Sequence, residues 1–502
     1  MKPSEAYNKY RDSKFESRAE TFAYWTLPSL FPSVDELKTV NSKDLARDWQ
    51  SFGAQLVHHL ASKFASTLFP LSMPFFKLAL TGAVRDVFKQ SMNVGDGKLN
   101  SVQAKAEVQA CARLMVQGNY NRLIHALKLL IVVGNCLIYR APNGRLQVYS
   151  PRHYVVLRDG TGEPLLVVLK EQRAWSLLPE HIRRVVPKRE ADDHIHLYTQ
   201  IEWLPPDTDG VQLVHITQEI ETWVSEPLPV RSEVNPFIPA TWELTPGESL
   251  GRGFVESQAG DFGRYSELSY ATALYEIEAA RVIHFVKPGS GADVDAINRA
   301  KSGEYVQGDP NFIEAHESGD GNKLQQLQAS LQLLEARLGR AFAWGGSTRD
   351  AERVTAYELA KNAAELDVSF GGAHSALSAT LHPPLAYLLL QAESPSFIQT
   401  VLSGGGQLDM LTGMAALGRS GKLTALLQAA QESRAVYDSV APMTQRLSPE
   451  RTFELACAAR GADPEEVYRT EEELAELSAS TAPQAGNPEE IQSALQGTLQ
   501  NG

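Results

Sequence analysis

Apolar residues recur at helical spacing in the first part of the chain, alternate in its middle, and return to helical spacing beyond it. Phe52, Leu56, Leu60 and Phe64 fall four apart, which lines one side of a helix with apolar groups. Such helical texture runs over residues 1 to about 135. From Gly134 to about Pro239 the runs become β-branched and alternating: Leu146 to Tyr149, Tyr154 to Leu157, Leu165 to Leu169 and Val211 to Ile216. Asp159-Gly160 and Asp209-Gly210 punctuate them as turns, and Phe237-Ile238-Pro239 closes this β-rich module. After Gly251-Arg252-Gly253 a helix is predicted to about Val286, where Lys287-Pro288-Gly289-Ser290-Gly291 stops it. Residues 287–322 then read as an insert, with a helical piece around Ala292 to Lys301 and a strand at Glu304 to Gln307. Leu324, Leu327, Leu331, Leu334 and Leu338 follow at spacings of three and four, a stripe that must pack against another element. Two helices of similar length around a small insert read as an antiparallel pair capped at its tip.

The second helix runs into Trp344-Gly345-Gly346-Ser347-Thr348-Arg349-Asp350. Paired glycines permit positive φ and raise the entropy lost on fixing the backbone, so a flexible loop is expected, with Arg349 and Arg353 making it basic. Thr355 and Glu358 form a capping-box pattern that starts a further helix toward Leu366.

The run Ala351-Glu352-Arg353-Val354-Thr355-Ala356-Tyr357-Glu358-Leu359, then Gly371-Gly372, then Leu381-His382-Pro383-Pro384-Leu385, resembles the core of the head-to-tail connector, or portal, proteins of short-tailed bacteriophages. Similar family patterns stand at Thr26 to Pro32, Trp49 to Pro70, Val133-Gly134-Asn135, Tyr154 to Asp159, and Gly247-Glu248-Ser249-Leu250-Gly251-Arg252. Each is short, and it is their order along the chain that carries the resemblance.

The resemblance implies an α+β, mostly helical portal fold with wing, stem helix pair, clip, tunnel loop and helical crown. It places the wing at 1–252 and again at 354–410, the stem at 253–286 and 323–343, the clip at 287–322, the tunnel loop at 344–353 and the crown at 411–477. The polar stretch 478–502 is expected to be disordered. It further implies a dodecameric ring at one capsid vertex of the virion, built in the host cytoplasm, through which the genome is packaged, retained and ejected. Implied partners are double-stranded DNA, held transiently and without sequence preference, the terminase large subunit, tail adaptor or gatekeeper proteins, major capsid and scaffolding proteins, and internal core proteins. Gly345, Gly346, Arg349 and Arg353 become channel candidates, because a ring repeats their guanidinium groups around its narrowest point. A solvated loop with one arginine paired to Asp350 or Glu352 accounts for them equally well. Arg337 and Arg340 are weaker channel candidates, better explained by a helix C-terminal dipole. The leucine stripe is a candidate for packing between stem helices of one subunit or of neighbours.

Composition narrows the alternatives. The 502 residues, 43% hydrophobic and 21% charged, suit two to four globular domains. Cys111, Cys136 and Cys457 lack metal-ligand spacing and fit a reducing compartment. The longest apolar run, Leu129 to Val133, is far short of a membrane span, and the charged start predicts no secretion. A net charge of −13 argues against tight static binding to nucleic acid, yet suits a conduit in which a duplex must slide.

Enzyme readings are thin. Gly413-Met414-Ala415-Ala416-Leu417-Gly418-Arg419-Ser420 mimics a phosphate-binding loop, but Arg419 replaces the lysine and no strand precedes it. His194 and His196, or His58 and His59, find no third metal ligand, and the Glu471 to Glu473 run reads as a solvated face. Neither a cofactor nor catalysis is expected. The competing readings are an NTPase working through the Gly413 segment and a capsid adaptor or scaffold that forms no ring.

Overall fold

The computed structural model describes residues 1–32, 48–70, 74–79, 85–89, 96–115, 118–178, 180–184, 194–208, 210–280, 282–286, 313–317, 321–344, 368–370, 372–393 and 407–410, with a few isolated residues between and beyond them. The chain divides into two compact units, Met1–Ala415 and Ala416–Gly502, and the elements that follow belong to the first. It is a mixed α/β fold, mostly helical. In chain order it runs α1 (Pro3–Tyr10), α2 (Ser13–Tyr24), α3 (Phe52–Leu68), β1 (Phe76–Ala79), α4 (Asp96–Ala112), α5 (Asn119–Val133), β2 (Asn135–Arg140), β3 (Leu146–Tyr149), β4 (Tyr154–Arg158) and β5 (Pro164–Ala174). Then come α6 (Glu180–Arg183), β6 (His194–Trp203), β7 (Leu213–Ile220), β8 (Trp223–Val224), β9 (Leu228–Arg231), β10 (Phe237–Thr241), α7 (Phe254–Ser257), α8 (Ala259–Ala279), β11 (Val282–Val286), β12 (Ile313–Glu317), α9 (Gly321–Ala341), α10 (Ala373–Glu393) and β13 (Gln407–Met410).

The β-rich module is two antiparallel sheets. One has the order β4-β5-β6-β7-β8, with β9 also on β7, and the other has the order β10-β2-β3. Because side chains alternate across a strand, the larger sheet buries two separate sets. Tyr154, Val156, Val167 and Leu169 join Leu137 and Phe237 of the smaller sheet in one cluster. Val155 and Val168 face the other way, under Ala6 and Tyr7 of α1. Helix α1 is pinned there by Ser4, whose N–H and Oγ donate to Glu219 at 2.7 and 2.8 Å, and by Tyr7 Oη donating to the Arg152 carbonyl at 2.8 Å.

The helical core is continuous. Leu56, Leu60 and Phe64 of α3 are fully buried, as the four-residue spacing predicts, and pack with residues of α2, α5, α9 and α10.

Three expectations are corrected. The helix after Gly253 does not reach Val286: it ends at Ala279, and Val282-Ile283-His284-Phe285-Val286 pairs antiparallel with Ile313–Glu317. That run consists of β-branched and aromatic residues, a strand preference that overrides the helical period before it. The N-terminal helical region contains a strand, β1, which pairs with the distant β13, Phe76 opposite Met410. The middle strands also run beyond their predicted ends: β5 extends to Ala174, and β7 starts at Leu213 and extends to Ile220. Of the insert's helical piece only Asp295 and Arg299–Lys301 are described, Asp295 and Arg299 as helical. The Glu304 to Gln307 strand, the Thr355–Glu358 cap, the segment 411–477 apart from a few single residues, and 478–502 lie outside the described residues.

Candidate functional site

The sequence singles out the helix pair and the loop that follows it. Helices α8 and α9, each 21 residues long, are joined through the β11–β12 hairpin. Their cross-contacts run in opposite directions: Gln328 Nε2 donates to Glu276 Oε1 at 3.3 Å, Tyr265 Oη to Glu335 Oε1 at 2.6 Å, and Arg337 pairs with Asp261 at 2.9 Å. The helices are therefore antiparallel. Burial, followed by the Glu335 carboxylate, raises the Tyr265 hydroxyl well above its usual range, so it stays a donor at any physiological pH.

Burial along the leucine stripe is graded. Leu334 and Leu338 are in the core, Leu331 packs against it, and Leu324 and Leu327 are half-buried toward the hairpin. The opposite side of α8 is unusual, because Tyr270, Leu274 and Ile277, spaced one helical turn apart, are exposed, with Trp49 against Tyr270 at 5.4 Å. The sequence reading missed this face, although the spacing was there to be read.

The end of α8 nearer its N-terminus is built from two of the short motifs. Gly134 closes α5 with φ +82°, receiving no side chain because a Cβ would meet the Arg252 carbonyl carbon at 2.4 Å. The buried Asn135 amide then donates to the Gly251 carbonyl at 2.6 Å and accepts from the Gly251 N–H at 2.7 Å. Arg158 ties the same segment to β4, donating to the carbonyls of Ser249, Gly162 and Pro239 at 3.2, 2.8 and 2.9 Å.

At the far end of α9, Phe342 is buried against Phe254 and Phe262, and Trp344 N–H closes the helix on the Gly339 carbonyl at 2.8 Å. His59 Nε2 lies 3.2 Å from the Ala343 carbonyl, and its ring meets Trp344 edge-on at 5.0 Å. The departure point of the loop is thus held by α3. Gly345, Gly346, Arg349 and Arg353 themselves lie outside the described residues. Arg337 forms the α8–α9 ion pair, and Arg340 Nε donates to the Ala336 carbonyl at 3.2 Å, near the helix C-terminus as the dipole argument expects. The five candidate leucines share one helix, α9.

Among the described residues no group of His, Cys, Asp and Glu could hold a metal, and no helix is long and apolar enough to cross a membrane. Cys136 is buried and Cys111 half-buried, its thiol pushed up to about 11 by burial. Cys457 and the Gly413–Ser420 segment lie outside the described residues.

The family of bacteriophage head-to-tail connecting proteins matches residues 4–393, from α1 to the end of α10. The chain belongs to this portal family. It is 34% identical to the portal protein of Pseudomonas phage phiKMV over 97% of this chain and 96% of that one. The portal proteins of Enterobacteria phage SP6 and Escherichia phage T7 are each 31% identical, over 85% and 82% of this chain and 81% and 78% of theirs. A solved neck of an empty GTA particle, computed with C6 symmetry, overlays at a TM-score of 0.38 and 12% identity, covering 83% of this chain and 91% of that chain, too loosely to place any residue. Portal proteins of this kind are structural components of the virion's head-to-tail connection and not enzymes, which removes the NTPase reading.

Proposed function

We propose that this chain is the repeating subunit of a dodecameric ring at one capsid vertex, whose central channel passes double-stranded DNA during packaging, holds it, and releases it at ejection. The observation that carries this reading is the antiparallel pair α8 and α9, closed by a hairpin at one end and followed at the other by residues 345–353, whose sequence predicts a loop. In a ring this pair is the stem, the hairpin and its insert are the clip, now starting at Val282, and residues 344–353 are the tunnel loop. Residues 1–252 and 354–410 form the wing and 411–477 the crown.

The exposed Tyr270, Leu274 and Ile277 face gives the ring its contact. A closed ring joins two different faces of each subunit, and the outward side of α9 offers Leu333 with Lys323 and Arg340 for the acidic, apolar side of α8. The clip suits tail adaptor or gatekeeper proteins and the terminase large subunit, which brings the ATPase that this chain lacks. The wing suits capsid, scaffolding and internal core proteins. Arg349 and Arg353 would touch DNA phosphates transiently, with Arg337 and Arg340 kept for stem structure.

Electron microscopy of the purified protein with rotational classification tests the reading. Twelve- or thirteen-fold rings with a channel wide enough for a duplex are expected. A poreless monomer at every concentration would leave the non-ring adaptor as the better account.

A further inference from the structure

In a chain of net charge −13, helices α3 (FGAQLVHHLASKFASTL) and α5 (NYNRLIHALKLLIVV) contain no Asp or Glu. They pack against each other, and their apolar positions, among them Leu56, Leu60, Leu123 and Leu127, point into the shared core. What they leave toward solvent is basic: His58 and Arg122 are exposed, and His125 and Lys128 are half-buried. Arg122, His125 and Lys128 are spaced three apart along one side of α5.

These groups crowd one another. Burial lowers the His58 imidazole and Lys128 lowers it further; burial and then Lys128 and Arg122 lower His125; burial lowers Lys128 itself. Among the described residues no carboxylate forms an ion pair with any of the four. The neighbouring cations help keep these imidazoles neutral, and an incoming anion would pair with Arg122 and Lys128 and ease that crowding. The patch also has an address. His59, next to His58 and about 100° further around α3, holds the Ala343 carbonyl at the root of the loop, with Lys63 one turn on.

We propose that the acid-free surface of α3 and α5, carrying His58, Arg122, His125 and Lys128 with His59 and Lys63 at its edge, is a binding site for the phosphate backbone of duplex DNA. The choice of DNA over an acidic protein segment rests on the channel reading above, since the patch adjoins the base of the proposed tunnel loop. Arg122 and Lys128 supply the charge. The imidazoles, neutral at pH 7, supply N–H donors, a weak combination that holds a duplex without trapping it.

The test uses assembled full-length protein and a fluorescent duplex of random sequence, with affinity measured by anisotropy from 20 to 200 mM salt. Rings are scored separately by microscopy. The variant carrying Arg122→Gln and Lys128→Gln is expected to form rings but bind about ten-fold more weakly at low salt. The slope of log affinity against log salt should be shallower by about 1 to 2. Adding His58→Gln and His125→Gln should weaken binding further. Arg122→Lys with Lys128→Arg should bind as the unaltered protein does. A charge-matched control, Lys2→Gln just before α1 with Lys14→Gln on α2, should change little, both residues being exposed and remote in sequence. Unchanged affinity and slope in intact rings, an equal loss in the control, or no binding by unaltered rings at 20 mM salt would each overturn the proposal and leave the ring itself standing. If the double variant does not assemble, the exposed Arg122→Gln alone decides, with a slope change of about 1 or none.

Discussion

His382 is fully buried, with Nδ1 2.9 Å from Ser378 Oγ and its ring against Phe69 and Phe75 at 5.2 and 4.9 Å. Burial, then repulsion from His374, pulls its pKa down to about 3, so it is neutral in the fold. The unfolded chain, with an ordinary imidazole near 6.5, binds the proton first as pH falls. Its contribution to stability is therefore complete above about 6.5 and lost as pH drops toward 3, by at most about 1.4 kcal/mol per pH unit. His382→Leu with Ser378→Ala should flatten the fall in melting temperature between pH 7 and pH 5; identical slopes would show that this imidazole does not control acid stability. Asn135 is a second residue of this kind, since Asn135→Ala strands a buried N–H and a buried carbonyl of Gly251. A loss of about 1–3 kcal/mol in urea unfolding is expected. Both residues sit in motifs visible in the sequence, Leu381–Leu385 and Val133–Asn135, but the pairing of Asn135 was not, because Asn135 and Gly251 are 116 positions apart.

Within the α8–α9 pair one apolar face is buried in the subunit core and the other is the proposed ring contact, and substitutions separate them. Leu338 is fully buried, so Leu338→Ala should destabilise the subunit by about 2–5 kcal/mol through lost contacts and a residual cavity. Leu274 and Ile277 are exposed, so Leu274→Asp with Ile277→Asp should leave subunit melting nearly unchanged while abolishing rings. Rings that persist in the second variant would remove this face from the interface. Leu331→Asp falls between, because Leu331 only borders the core, and should reduce both stability and assembly. Both long helices and the strands β3, β4, β5 and β7 were legible from periodicity, since a period of 3.6 or 2 records which side is buried. The β11 strand was not: five residues following a long helical pattern carry too little period of their own, and their partner strand lies some 30 positions away. The exposed α8 face was passed over because an apolar stripe reads first as core, and only the fold shows which stripe is covered.

For the proposed ring, the decisive quantity is how weakly it would hold DNA. In the channel proposed above, a net charge of −13 per subunit repels phosphate overall, so retention there would have to come from a few cations presented at the narrow point. The order of motifs made the portal resemblance legible across the chain, but not which charges face the channel, because that depends on neighbours and on loop residues 345–353. The stem arginines can be set apart on local grounds. Arg337 is committed to Asp261 in a half-exposed pair worth less than about 1 kcal/mol, and Arg340 to its own helix end. Arg337→Ala should therefore alter stability slightly and DNA handling not at all. Arg349→Ala with Arg353→Ala should leave rings intact, because both follow α9 in sequence and neither belongs to the proposed contact face, but should let packaged DNA slip back. The measurement is DNA content per particle when phage lacking their own portal gene are complemented with each variant. Full heads from the loop variant would mean that the loop is a passive spacer and that retention belongs to other cations, with the α3–α5 patch next in line. Empty heads with intact rings from the loop variant, beside full heads from Arg337→Ala, would assign the grip to the loop.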